Sequence, residues 1–193
     1  MRVSRHKAQE NRDAVLDAAA RLFRDRGLDG VGVAEITRAA GLTHGGFYGQ
    51  FPGGKDELAA EAVGHAFART RAMWNELAAG KPPVDAVAAI AGTYLSPGHL
   101  AHPGAGCPVP LLAADASRQG GPVRAAFTEG VRDLIEAFAA HMAGDTAVAR
   151  QAGAIRLLAA MAGAVLLARA VDDACLAEAV LDAVGQDDQR IKV

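Results

Sequence analysis

Residues 33–51, VAEITRAAGLTHGGFYGQF, constrain this chain more than any other stretch of it. Ile36, Ala39 and Ala40 fall at helical spacing and run into Gly41-Leu42-Thr43, after which Phe47 and Phe51 stand four residues apart. Two short helices joined by a tight turn containing glycine are the sequence form of a helix-turn-helix. Gly41 supplies the positive φ that ends the first helix, and the Thr43 hydroxyl can N-cap the second. Such a unit lays its second helix in the major groove of double-stranded DNA while the first crosses the backbone. An αα-hairpin packed for stability alone would look the same in isolation, so the flanking residues have to decide.

Upstream, NRDAVLDAAARLFRDRGLDGV places Val15, Ala19, Leu22 and Phe23 on one helical stripe. Gly27 follows Arg24 and Arg26 as a C-terminal stop, with cations in the last turn where the helix dipole favours them. Downstream, FPGGKDELAAEAV is a Pro/Gly break followed by another helix. An opening helix ending in F-x-x-x-G, the two-helix unit, then Phe-Tyr, Phe and Lys-Asp-Glu-Leu resemble the N-terminal domain of TetR-family transcriptional regulators over about residues 9–63. The resemblance implies a DNA-binding domain over residues 1–54 and a ligand-binding and dimerisation domain over 55–193. Its partners would be an operator, a small-molecule inducer and a second copy of the chain. The protein would be a regulator, a repressor in the first instance, and not an enzyme.

Three features depart from the usual family pattern. Gly32 stands where a Ser or Thr commonly caps the second helix. The turn after Phe51 is one residue longer than the commonest form, which puts Lys55 in the basic position. The recognition segment holds Gly45, Gly46 and Gly49, each costing about 1 kcal/mol of helix stability relative to Ala. With Phe47 inward, Gly45 and Gly49 point outward, so the DNA face has little side chain at its centre. Backbone can then approach DNA closely at Gly45, while His44, Gln50 and Thr43 remain to read bases. By the resemblance, Tyr48 reaches a phosphate. Arg2, Arg5, Lys7 and Arg12 concentrate positive charge at the amino end, although the net charge is −2. Two readings of that arm stay open, a phosphate or minor-groove contact and a solvated tail.

The rest of the chain reads as helices punctuated by Pro and Gly, with no strand-like alternation and no internal repeat. Aromatics at 5% with abundant Ala point to close-packed helices rather than sheets. The fold expected is all-α, with about nine helices. Val63, Phe67, Thr70, Trp74 and Leu77 form one stripe; Val123, Phe127, Val131, Leu134, Phe138 and Met142 form another. PGHLAHPGAG reads as a loop between them. The start of the chain is basic without an apolar core, which is not the pattern of a signal peptide. The apolar run at 157–168 lies between Arg156 and Arg169, which argues for a buried helix rather than a membrane span. Two distant cysteines without an export signal suggest reduced thiols, hence a cytoplasmic protein with no membrane partner.

The helix over roughly 148–171 is apolar nearly all round and needs cover on every side. Ile155, Leu158 and Val165, with Leu176 and Val180 on the last helix, are expected to build a two-fold, four-helix interface. The alternative is that both helices complete the monomer core. A ligand cavity, again by resemblance, would draw its lining from Phe67, Trp74, Tyr94, Leu111, Phe127 and Met161, and so favour an apolar or weakly polar molecule. Cys107 has the most chemistry. In GAGCPVPLLAADA it is expected at a helix N-cap, a setting that lowers a thiol pKa. Some TetR-family members that respond to electrophiles or oxidants use a cysteine in such a Gly-Cys context. A buried, inert cysteine is the other reading. A Cys107-dependent enzyme on an all-helical fold also stays open. His99, His102 and Cys107 supply three metal donors where a structural zinc site normally has four, so no metal or other cofactor is assigned.

Overall fold

The computed structural model describes residues 5–42 and 44–187. Among these are ten α-helices and no strand. They are α1 (Arg5–Arg26), α2 (Val33–Ala39), α3 (His44–Phe47), α4 (Gly54–Ala78), α5 (Pro83–Tyr94), α6 (Pro97–Ala101), α7 (Val109–Arg118), α8 (Gly121–Ala139), α9 (Ala147–Ala170) and α10 (Ala174–Asp187). A 3-10 turn, Pro103–Ala105, lies between α6 and α7. The helix beyond the nine expected is α6, inside the stretch read as a loop. Its signals are Ser96 and Pro97: the Ser96 hydroxyl accepts from the His99 N–H at 3.2 Å, and proline occupies the first turn.

The first helix behaves as its stripe demands, with Val15, Ala19, Leu22 and Phe23 all buried. Gly27 at φ +79° and Gly41 at φ +70° end α1 and α2 in the left-handed region. Gly32 sits at the start of α2 in extended conformation and provides no side-chain cap. The long helix α4 ties the molecule together. Its first half lies on α1 through Glu61, His65 and Arg69, and its second half packs on α8. There Phe67 meets Phe127 edge-on at 5.3 Å and Trp74 meets Phe138 at 4.5 Å. Gly130 of α8 is pressed so closely on the Phe67 ring that a Cβ would overlap it.

Helix α9 is long and apolar enough to cross a membrane by length and composition, but half of its most apolar window is buried within the protein. It packs on α7, α8 and α10 through Ala154, Leu157, Leu158, Met161, Val165 and Ala168. Leu158 and Val165 therefore belong to the core of one copy, contrary to the interface expected of them. A helix apolar on both sides gives no sign in sequence of which side turns inward. The outward side carries Ile155, Leu166 and Leu167, all about half exposed, with Leu176 alongside on α10. Val180 of α10 is partly buried against the core.

Candidate nucleic-acid interface and ligand cavity

The recognition segment is short. Helix α3 ends at Phe47, and residues 48–50 form a turn, the outcome that three glycines in six residues favour. Phe47 and Phe51 are buried and stacked at 5.3 Å, anchoring the segment to the three-helix core. Tyr48 projects with 55% of its surface exposed, its ring edge-on to Phe47 at 5.1 Å. Gly49 is exposed, with the Gly46 carbonyl oxygen 3.8 Å from where a Cβ would stand, and Lys55 is half-buried in the first turn of α4. His44 and Gly45 lie on α3; Thr43 and Arg2 fall outside the described residues.

Gln50 is placed differently from its expected role. It stands in the turn rather than on a helix face, and its side-chain oxygen is buried without a hydrogen-bond partner. Its backbone carbonyl accepts from the guanidinium of Arg12, which also forms a two-pronged ion pair with Glu61 at 2.5 and 2.6 Å. The same guanidinium lies 4.3 Å from the centre of the Phe51 ring. Arg12 thus joins α1, the recognition turn and α4 through one side chain. No sequence spacing connects positions 12, 50 and 61, so only the fold brings them together.

A cavity of about 320 Å³ opens between α4, α5, α6 and the 3-10 turn, walled by Met73, Thr93, Tyr94, His99, Gly106 and Cys107 among others. Of the residues expected to line a ligand cavity, Tyr94 and Cys107 lie in its wall. Phe67, Trp74, Leu111, Phe127 and Met161 do not line this cavity: Phe67, Trp74 and Met161 are buried, while Leu111 and Phe127 pack partly buried against the core. Trp74 lies just behind the wall, its ring 6.2 Å from Tyr94.

The chemistry at Cys107 reverses the expectation from its position. Helix α7 starts at Val109 with Pro108 before it, and Cys107 is 2% exposed. Burial pushes its thiol pKa up to about 11, outweighing the smaller opposing effects of Tyr94, the Val109 N–H, Arg24 and Arg169. It is a protonated, enclosed thiol. His99 is equally committed: Nδ1 donates to the Tyr94 carbonyl at 2.5 Å, and Nε2 accepts from the Cys107 N–H at 2.9 Å. Burial lowers its pKa, which keeps the ring neutral and this tautomer in place. With both nitrogens occupied, His99 cannot serve as a metal ligand without breaking the wall. Alkylation with iodoacetamide at pH 7.4 is expected to label exposed Cys175 while sparing Cys107 until the protein unfolds. Mass mapping that found Cys107 modified first would restore the thiol-sensor reading.

The wall of this cavity is bonded directly to α1. Arg24, buried at the end of α1, donates through Nε to the Gly104 carbonyl at 2.9 Å and again through Nη2. Asp115 of α7 accepts from the Leu28 N–H at 2.8 Å, just past the Gly27 stop. A Cβ on Gly104 would meet Arg21 and Asp25, so the 3-10 turn sits against α1 with no room to spare.

A family model described as "Bacterial regulatory proteins, tetR family" matches residues 15–62, the stretch that holds α2, α3 and the anchoring phenylalanines. The chain belongs to the TetR family. It is 32% identical over 125 residues to the HTH-type transcriptional regulator LmrA of Bacillus subtilis, a match spanning 64% of this chain and 66% of LmrA's own length. A TetR transcriptional regulator from Chloroflexus aurantiacus superposes with TM-score 0.77 at 26% identity, over 96% of this chain and 97% of that one. The reduced form of NemR from E. coli superposes with TM-score 0.78 at 20% identity, over 93% and 95%, which speaks for the fold alone. This TetR-family chain is a helix-turn-helix transcriptional regulator, and its relatives are regulators rather than enzymes.

Proposed function

We propose that the protein is a cytoplasmic, homodimeric repressor that binds a roughly palindromic operator and is released by a small molecule held non-covalently in the cavity beside Cys107. The observation that carries this reading is the pair of hydrogen bonds from the cavity's own segment, through Gly104 and Asp115, to the end of α1. A ligand that shifts the 3-10 turn must pull on the helix that seats the recognition segment. Such coupling is typically worth about 1–3 kcal/mol, and operator DNA then weakens ligand binding by the same factor. The half-exposed apolar stripe of α9 and α10 supports the dimer, since a two-fold contact would cover it. The enclosed, protonated state of Cys107 favours non-covalent release over thiol chemistry.

The two half-sites are expected about 34–36 Å apart, or a small multiple of that, centre to centre. Tyr48→Ala and Lys55→Ala should each weaken binding to all DNA sequences alike, because contacts to phosphates position a protein without reading bases. Gel mobility on the protein's own promoter fragment at moderate salt tests this. Unchanged affinity in both variants would remove the DNA-binding assignment from this segment.

A further inference from the structure

Building on the ligand-responsive reading above, we propose that the cavity beside Cys107 takes an uncharged, largely apolar molecule whose carbonyl oxygen accepts a hydrogen bond from the Tyr94 hydroxyl. Of the polar side chains in the wall, His102 is exposed, and the others, taken one by one, leave little else to recognise a ligand. The Thr93 hydroxyl donates to the Ala89 carbonyl at 2.9 Å. The Ser96 hydroxyl donates to the Thr93 carbonyl at 2.8 Å and accepts from the His99 N–H. Both ring nitrogens of His99 are engaged, and one of them holds the Cys107 N–H. The Tyr94 side chain is only 3% exposed, and its buried hydroxyl has no oxygen or nitrogen partner among the described residues, only the Cys107 thiol beside it. A buried O–H left unpaired is costly, and a phenol donates to a carbonyl more readily than to a thiol.

Charge is excluded by what is missing from the wall. Among the described residues no Asp, Glu, Lys or Arg lines the cavity, whose titratable groups are Tyr94, His99, Cys107 and the exposed His102. Burial keeps Tyr94, His99 and Cys107 in their neutral forms at pH 7. Two guanidinium groups act on the wall from outside it: Arg24 holds the Gly104 carbonyl, and Arg169 of α9 holds the Leu100 and His99 carbonyls, with its buried Nη1 unpaired; neither lines the cavity. An ionised ligand would lose its hydration there without a charged Asp, Glu, Lys or Arg in the wall to pair with. The remaining surface, from Met73, the Tyr94 and His99 rings, Ala105 and Gly106, is suited to an apolar body.

The test uses three compact probes of similar shape: acetophenone, ethylbenzene and benzoate. Each is titrated by ligand-observed NMR against the full-length protein, with operator binding measured on the same samples. Acetophenone is expected to bind about five- to tenfold more tightly than ethylbenzene, the worth of one hydrogen bond, and benzoate more weakly than either. In Tyr94→Phe the ketone should lose its advantage while ethylbenzene binds as before; Cys107→Ala should keep the advantage. Benzoate binding best, no saturable acetophenone binding, or an advantage that survives in Tyr94→Phe would each overturn the proposal. So would an advantage lost in Cys107→Ala alone, which would move recognition to the thiol. A wild-type protein that binds the ketone but no operator would sink the regulatory reading while leaving the cavity's chemistry standing.

Discussion

Leu166→Glu is expected to give a folded monomer that no longer holds a two-half-site operator. Leu166 is 53% exposed in one copy, beside Leu167, with Ile155 farther along α9 and Leu176 across on α10. Ala159 and Gly163 lie between them on the same side of α9 and let a second α9 approach closely. In a two-fold contact the substitution counts twice. Leu166 is already half covered in one copy, so each leucine loses about 0.8–1.5 kcal/mol of interfacial burial, and two carboxylates are brought towards one another. The dimer should weaken by about ten- to hundredfold from the lost burial alone, and further from the paired carboxylates. Since Leu166 makes little of the monomer core, the melting transition of the isolated chain should move little. Leu158 supplies the contrast. It is 4% exposed, turned about 80° round α9 from Leu166 and into the core, so Leu158→Ala should cost about 2–5 kcal/mol of folding while leaving the exposed stripe in place. Sedimentation with thermal unfolding separates the two. Leu166→Glu sedimenting as a dimer would place the interface on another face.

That contrast also marks where the sequence stops being legible. Periodicity worked wherever one side of a helix is apolar and the other is not: the α1 stripe and the α4 stripe are buried much as their spacing demands. Glycines also read well, because Gly27 and Gly41 are needed for a backbone conformation, to which only Gly27 adds a close approach, that of the Asp115 carboxylate. Helix α9 defeated the same reasoning because its two sides are alike in composition, so Leu158 and Leu166 look equivalent until neighbouring helices are in place. Cys107 failed for another reason. Its nearness to a helix start is a local fact, but its proton affinity is set by burial beside Tyr94 and His99, which arrive from α5 and α6. Helix α6 was missed although Ser96-Pro97 announces it, because two glycines and a second proline close by made the whole stretch read as a loop. Nothing in the sequence around Tyr94 reveals that its hydroxyl is buried against the Cys107 thiol, thirteen residues on, with no oxygen or nitrogen partner.

Arg12→Ala should reduce operator affinity by about 30- to 100-fold, although Arg12 lies on α1 and not on the recognition segment. A four-residue helix with adjacent glycines cannot hold its own shape, since helix formation needs a longer run to offset the cost of its first turn. Here the segment is held from outside by the two buried phenylalanines and by Arg12, which fixes the Gln50 carbonyl, covers Phe51 and is itself held by Glu61. Arg12 and Glu61 are both partly exposed, so the ion pair alone is worth no more than about 1 kcal/mol. The charged hydrogen bond to Gln50 adds about 1.5–3 kcal/mol of positioning. Without it, the turn carrying Tyr48 would have to be ordered when DNA binds, and affinity would fall by about tenfold for each 1.4 kcal/mol. The loss should fall on operator and unrelated DNA together, because Tyr48 and Lys55 are proposed to contact phosphates. Arg12→Lys should recover little, since an ammonium cannot hold the carbonyl, the carboxylate and the ring face at once. Glu61→Gln should fall between, with Arg12 still on Gln50 but less firmly oriented. Amide hydrogen exchange at Gln50 and Phe51 gives a readout independent of DNA: faster exchange in Arg12→Ala, with the buried amides of α1 still protected, is the expected signature. Full operator affinity in Arg12→Ala would mean that the phenylalanines alone suffice to hold the segment.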